Sequence, residues 1–89
     1  VNRPEPPGRI HGHVTAPDGR PLPDASVRVV DNGVVVDLQT TNEHGEFTSR
    51  LLFAGIYRVE VVTDGLQGFL DEVEVELGRT THVRLTVGS

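Results

Sequence analysis

Val73-Glu74-Val75-Glu76-Leu77-Gly78-Arg79-Thr80-Thr81-His82-Val83-Arg84-Leu85-Thr86-Val87 decides the fold. Val73, Val75 and Leu77 alternate with glutamates. After Gly78-Arg79, Val83, Leu85 and Val87 alternate with His82, Arg84 and Thr86. A period of two places one set of side chains on a buried face and the other in water, which is a β-strand with one covered side. The glycine supplies the backbone freedom that a turn between two such strands needs.

The same period runs outward to the rest of the chain. Ile10, Gly12 and Val14 share a face opposite His11 and His13. Ala25, Val27 and Val29 alternate with Ser26, Arg28 and Val30. Phe47, Ser49 and Leu51 alternate with Thr48, Arg50 and Leu52, and Tyr57, Val59 and Val61 with Arg58, Glu60 and Val62. No window holds the spacing of an amphipathic helix. Turn signals fall between the runs at Asp18-Gly19, Asp31-Asn32-Gly33, Asn42-Glu43-His44-Gly45, Ala54-Gly55 and Asp64-Gly65. Asp31-Asn32-Gly33 suits a tight primed turn. The pattern predicts strands at 9–15, 25–31, 34–41, 46–52, 56–63, 69–77 and 80–87. Together they make an all-β, seven-stranded Greek-key β-sandwich.

Val34, Val35 and Val36 interrupt the alternation. Two readings stand for such a run. One is a strand covered on both faces, which is preferred here. The other is an exposed edge that offers its backbone to a partner.

The chain has 89 residues, enough for one core. Residues 1–8, Val-Asn-Arg-Pro-Glu-Pro-Pro-Gly, read as a proline-rich linker or tether ahead of a domain spanning 9–87. There is no cysteine, which excludes disulfides, thiol catalysis and thiolate metal sites. A net charge of -5 disfavours nucleic acid and anionic membrane surfaces. No apolar run approaches the ~20 residues of a membrane-spanning helix. All eight positive charges are arginine, a bias of GC-rich coding DNA that points to a bacterial source. Without lysine the chain cannot make the lysine–asparagine isopeptide staple of pilus-type sandwiches.

Few residues offer chemistry. His11 and His13 project from one face of one strand. His82, on the polar side of the last strand, completes a possible zinc, copper or nickel site if the two strands are neighbours. Glutamates 72, 74 and 76 step outward along a strand by about 6–7 Å each, too widely for calcium, and read as a solvated edge. Asp18, Asp31 and Asp64 read as turn caps. The serines lie in strands or at the terminus, without a nucleophile elbow. No cofactor is expected.

Ile10-x-Gly12-x-Val14 followed by Asp18-Gly19-x-Pro21-Leu22-x-x-Ala25-x-Val27-x-Val29 resembles the opening of a carboxypeptidase regulatory-like domain. Thr40-Thr41-Asn42-Glu43-x-Gly45-x-Phe47, Leu52-x-x-Gly55-x-Tyr57-x-Val59, and Val73-x-Val75-x-Leu77-Gly78-x-Thr80-x-x-Val83-x-Leu85 continue the resemblance over 9–87. Asp24 departs from it, standing where that family usually has glycine. The resemblance implies a transthyretin-like sandwich with no active site of its own. It implies an accessory module of a larger, secreted or cell-surface protein, which spaces neighbouring domains or binds a protein or glycan. The residues carrying it also have physical readings. Gly12 leaves room for a large neighbour, Tyr57 buries its ring while its hydroxyl reaches a backbone group, and Pro21 and Pro23 stiffen the first crossing.

A looser resemblance runs to the hydroxyisourate hydrolases, which share the transthyretin-like fold. His13-Val14 before Gly19-Arg20-Pro21 is similar to their opening, and His82-Val83-Arg84-Leu85 to their last strand. The ending Thr86-Val87-Gly88-Ser89 departs from their Tyr-Arg-Gly-Ser. This alternative implies a small hydrolase.

Overall fold

The computed structural model describes residues 7–88. The chain forms β1 (Arg9–Thr15), β2 (Ser26–Asp31), β3 (Val34–Thr40), β4 (Glu46–Thr48), β5 (Gly55–Thr63), β6 (Leu66–Val75) and β7 (Thr80–Thr86). One sheet has the order β4-β1-β7, the other β3-β2-β5-β6. All neighbours are antiparallel except β1 and β7, which run parallel. The expected seven-stranded sandwich is therefore present, with no helix among the described residues.

The core follows from the alternation. Ile10, Val14, Val27, Val29, Val59, Val61, Val75 and Val87 are almost fully excluded from solvent between the two sheets. Phe47, Leu52, Tyr57, Val73 and Leu85 close the cluster. β-Branched side chains dominate it because they pack well on a pleated surface.

Two hairpins behave as the turn residues require. Asn32 (φ 49°) and Gly33 (φ 80°) join Asp31 to Val34, and Asp64 (φ 46°) and Gly65 (φ 75°) join Thr63 to Leu66. Two successive residues with positive φ give a primed turn, whose twist matches that of the flanking strands.

Four expectations need correction. The strand expected at 46–52 ends at Thr48. Ser49 turns inward there, its hydroxyl accepting from the Ile10 N–H at 2.9 Å and donating to the Arg50 carbonyl at 2.8 Å. The strand expected at 69–77 runs from Leu66 to Val75, and Leu77 is exposed rather than buried. Tyr57 pairs with Val73 but Val59 with Leu70, so Asp71 and Glu72 stand opposite Arg58 alone. That bulge, with Glu72 at φ 56°, shifts the buried phase from Leu66 and Leu70 to Val73 and Val75. Gly8, assigned to the linker, belongs to the sandwich: its N–H and carbonyl both bond Leu52, at 2.9 and 2.8 Å. A Cβ on Gly8 would stand 2.5 Å from the Glu76 carbonyl oxygen. The rest of the expected linker, residues 1–6, lies outside the described residues.

The fourth correction concerns Val34, Val35 and Val36. β3 is an edge strand, and Val34 and Val35 are exposed (63% and 45%), so the run is not covered on both faces. Val30 pairs with Val35 and Val29 with Asp37, which leaves Val36 as the extra residue of a bulge, packed toward the core.

Candidate functional site

The sheet registers create two outer faces of different chemistry. On the three-stranded sheet, Gly12 lies opposite Phe47 and Val83 and faces inward, so its neighbours His11 and His13 face outward. His11 stands between Thr48 on β4 and His82 on β7, and His13 between Glu46 and Arg84. The result is a two-by-three grid of polar side chains.

Contacts within the grid are specific. The His11 Nδ1 is 2.9 Å from the Thr48 hydroxyl, and its Nε2 is 3.7 Å from a Glu46 carboxylate oxygen. The rings of His11 and His82 meet edge to face at 5.6 Å. His13 turns away from them, its Nε2 donating to the His44 carbonyl at 2.8 Å. An open depression of about 410 Å³ lies over His11, His13, His82 and Arg84. The strands carrying the three histidines are thus neighbours, as a shared metal site requires. The imidazoles nevertheless do not converge. Among the described residues, no three histidine or carboxylate side chains stand so as to hold a metal ion.

The outer face of the four-stranded sheet mixes charge with apolar surface. Leu38, Ile56, Val62 and Phe69 are exposed there. Arg58 bonds Glu60 at 2.9 Å and Asp71 at 3.0 Å, and its guanidinium lies 3.9 Å above the Phe69 ring. Arg28 pairs with Glu60 at 3.0 Å. Two open hollows, of about 510 and 580 Å³, flank this network. Only Val34, Val35 and Val36 were singled out in the sequence as a candidate surface. Sequence reasoning missed Leu38 and Phe69: Leu38 stands between Asp37 and Gln39, a usable signal, whereas Phe69 shares the phase of Val73 and Val75 and faces outward only because of the β6 bulge.

The exposed edge of β3 carries two features that hinder strand addition. One is the bulge at Val36. The other is Asp37, whose carboxylate accepts from the Arg50 backbone N–H at 2.8 Å and from the Gln39 amide at 3.0 Å. A charge and a bulge on an edge both disfavour pairing with another chain.

The quoted motif residues are occupied with folding. The Thr41 hydroxyl is buried, donating to the Leu22 carbonyl at 2.7 Å and accepting from the Ala25 N–H at 2.8 Å. Asn42 Oδ1 accepts from the N–H groups of His44 and Glu46. The Tyr57 hydroxyl donates to the Phe53 carbonyl at 2.6 Å, and burial raises its pKa. Asp18 caps its turn by accepting from the Arg20 N–H and guanidinium, and that backbone bond leads in lowering its pKa.

Sheet order, parallel β1–β7 pairing and the Greek-key path define a transthyretin-like β-sandwich. The family model of the carboxypeptidase regulatory-like domain matches residues 9–88, and the chain belongs to that family. Among solved structures, 5-hydroxyisourate hydrolase from Klebsiella pneumoniae is similar in fold. Its TM-score is 0.67 at 17% identity, over 92% of each chain. At that identity the likeness is one of fold. Comparison with curated proteins gave no match.

Proposed function

We propose that this domain is a non-catalytic accessory module of a larger bacterial protein that works outside the cytoplasm. It holds a neighbouring domain, or binds a protein or glycan, through an outer surface. The observation that carries this reading is the outer face of the four-stranded sheet. Its exposed Leu38, Ile56, Val62 and Phe69 surround ion pairs that are already made internally. Aromatic residues and arginine are enriched in protein interfaces, and charges neutralised before docking reduce the desolvation cost. The exposed Val34 and Val35 extend this apolar surface at the β3 edge. Contact through side chains suits that edge better than strand addition, given its bulge and Asp37. Membership of a family of accessory domains supports the same reading.

The test uses the full-length gene product beside the isolated domain. Phe69→Ser should leave the melting temperature of the isolated domain nearly unchanged, because Phe69 is 57% exposed. In the full-length protein the same change should loosen the domain from its neighbour, read as new protease cleavage between them. Unchanged cleavage in the full-length protein would remove this face from the account.

A second reading has one observation in its favour. His13 and His82, which carry the resemblance to hydroxyisourate hydrolases, lie on adjacent strands of a fold shared with such an enzyme. Ureide hydrolysis by the purified domain, abolished in His13→Ala and His82→Ala, would establish it. No turnover would leave the accessory reading alone.

A further inference from the structure

The outer face of the three-stranded sheet differs in charge from the rest of the molecule. The chain carries -5 overall. On this face the outward positions of β1 and β7 include Arg9, His11, His13, His82 and Arg84, and among the described strand residues the one carboxylate is Glu46 on β4. Arg20, Arg28, Arg58 and Arg79 are each paired with a carboxylate. Among the described residues, Arg84 makes no ion pair and no side-chain hydrogen bond, and the His82 side chain makes no hydrogen bond, its ring meeting His11 edge to face. Both border the open depression of about 410 Å³.

We propose that this depression is a proton-gated binding site for an oxyanion: a sulfate, phosphate or carboxylate group. The site does not rest on the accessory-module reading, and it shares His13 and His82 with the hydrolase reading without requiring turnover. Its geometry follows from the register. His11 and His82 face each other across one strand spacing, as do His13 and Arg84. The four backbone positions therefore stand at the corners of a rectangle of roughly 5 by 7 Å, with the His13 ring turned to the His44 carbonyl and the His82 and Arg84 side chains left free. That span lets long donors from two strands reach one tetrahedral or planar oxyanion seated between them. Arg84 supplies a permanent charge and a forked donor, and His82 a free imidazole beside it.

Histidine is the side chain that changes charge between pH 5 and 8. With neutral imidazoles, the two arginines and Glu46 leave this face at +1, and with three protonated imidazoles it reaches +4. The groups facing the imidazoles set the sign. From β4, Glu46 opposes an incoming anion and Thr48 is neutral. From β1, Arg9 assists. From β7, Arg84 assists. The His44 ring, on the neighbouring turn, is directed at Glu43 at 3.6 Å, and its carbonyl occupies His13 Nε2. Protonation thus adds charge where one carboxylate offsets only part of it. Binding is expected in acid and lost toward alkaline pH.

The experiment is an NMR titration of the domain with sodium sulfate, sodium phosphate and sodium acetate, each against sodium chloride at equal ionic strength. Near pH 5.5, at least one oxyanion should give saturable shifts centred on His11, His82 and Arg84. Affinity should fall at least about tenfold near pH 8, the loss of one or more charge-assisted hydrogen bonds. Arg84→Gln and His82→Gln should each weaken binding by about tenfold or more, and Glu46→Gln should strengthen it. The three salts decide which oxyanion is preferred. Shifts that never saturate, that are equal at both pH values, or that survive Arg84→Gln would each overturn the proposal. All three substituted positions are on the outer face, and an unchanged amide spectrum elsewhere shows that each variant is folded.

Discussion

A Cβ on Gly12 would overlap the Phe47 ring and stand 3.0 Å from Cγ2 of Val83. The Phe47 ring therefore fills the space that a side chain at position 12 would take. Gly12→Ala should destabilise the domain by roughly 2–3 kcal/mol, the upper range for an overpacked core, measured by urea unfolding. Asp24 gives the opposite sign. Its φ of 58° is the left-handed conformation that glycine adopts freely. The departure from the family's glycine thus sits where glycine has a physical reason to be. Asp24→Gly should stabilise by about 0.5–1 kcal/mol, reduced somewhat by the freer unfolded chain. The reading of Gly12 as room for a large neighbour was possible from alternation alone. The backbone conformation at Asp24 was not, because no local pattern reveals a φ value.

At the level of elements, the strands that one phase of alternation describes were legible: β1, β2, β5 and β7. β6 was only half legible. Its inward-packed residues are the half-buried Leu66 and Leu70 before the bulge and the buried Val73 and Val75 after it, so no single period of two covers them. β3 was ambiguous for a related reason. Three valines in a row have no phase, and whether an edge or a centre strand holds them is decided by sheet order, a property of the whole chain. The histidine face was legible as residues but not as a site. His11 and His13 were clearly on one side of β1, whereas His82 came beside them only through the parallel β1–β7 pairing.

The corner between β4 and β5 carries a pH prediction. The buried Tyr57 phenol bonds the Phe53 carbonyl, and burial, with a smaller contribution from Asp31, raises its pKa above the ordinary value of 10.0. The folded state therefore holds this proton to higher pH than the unfolded state does. The stabilisation is complete below the unfolded pKa of ~10 and is lost as pH rises through the folded value. Unfolding free energy should fall above about pH 10, and Tyr57→Phe should remove that part of the slope while costing roughly 1 kcal/mol at neutral pH. An identical alkaline slope in the variant would place the effect elsewhere.

Taken whole, the molecule divides its residues between an interior that uses the family motif and outer faces that the motif does not constrain. Gly12, Thr41, Asn42, Gly45 and Tyr57 are each held by a packing or hydrogen-bond role. On the outside, one face is apolar with neutralised charges, and the other gathers histidine and arginine. A cysteine-free domain of 89 residues has a thin margin of stability, so buried polar groups such as Thr41 weigh heavily.

Equilibrium urea unfolding of Thr41→Val beside His82→Gln tests that division most directly. Thr41→Val strands the Ala25 N–H and the Leu22 carbonyl, and should cost about 1–3 kcal/mol. His82→Gln should change stability by no more than about 0.5 kcal/mol, as expected of an exposed position. A large loss from the histidine change, with little from the threonine change, would contradict the account.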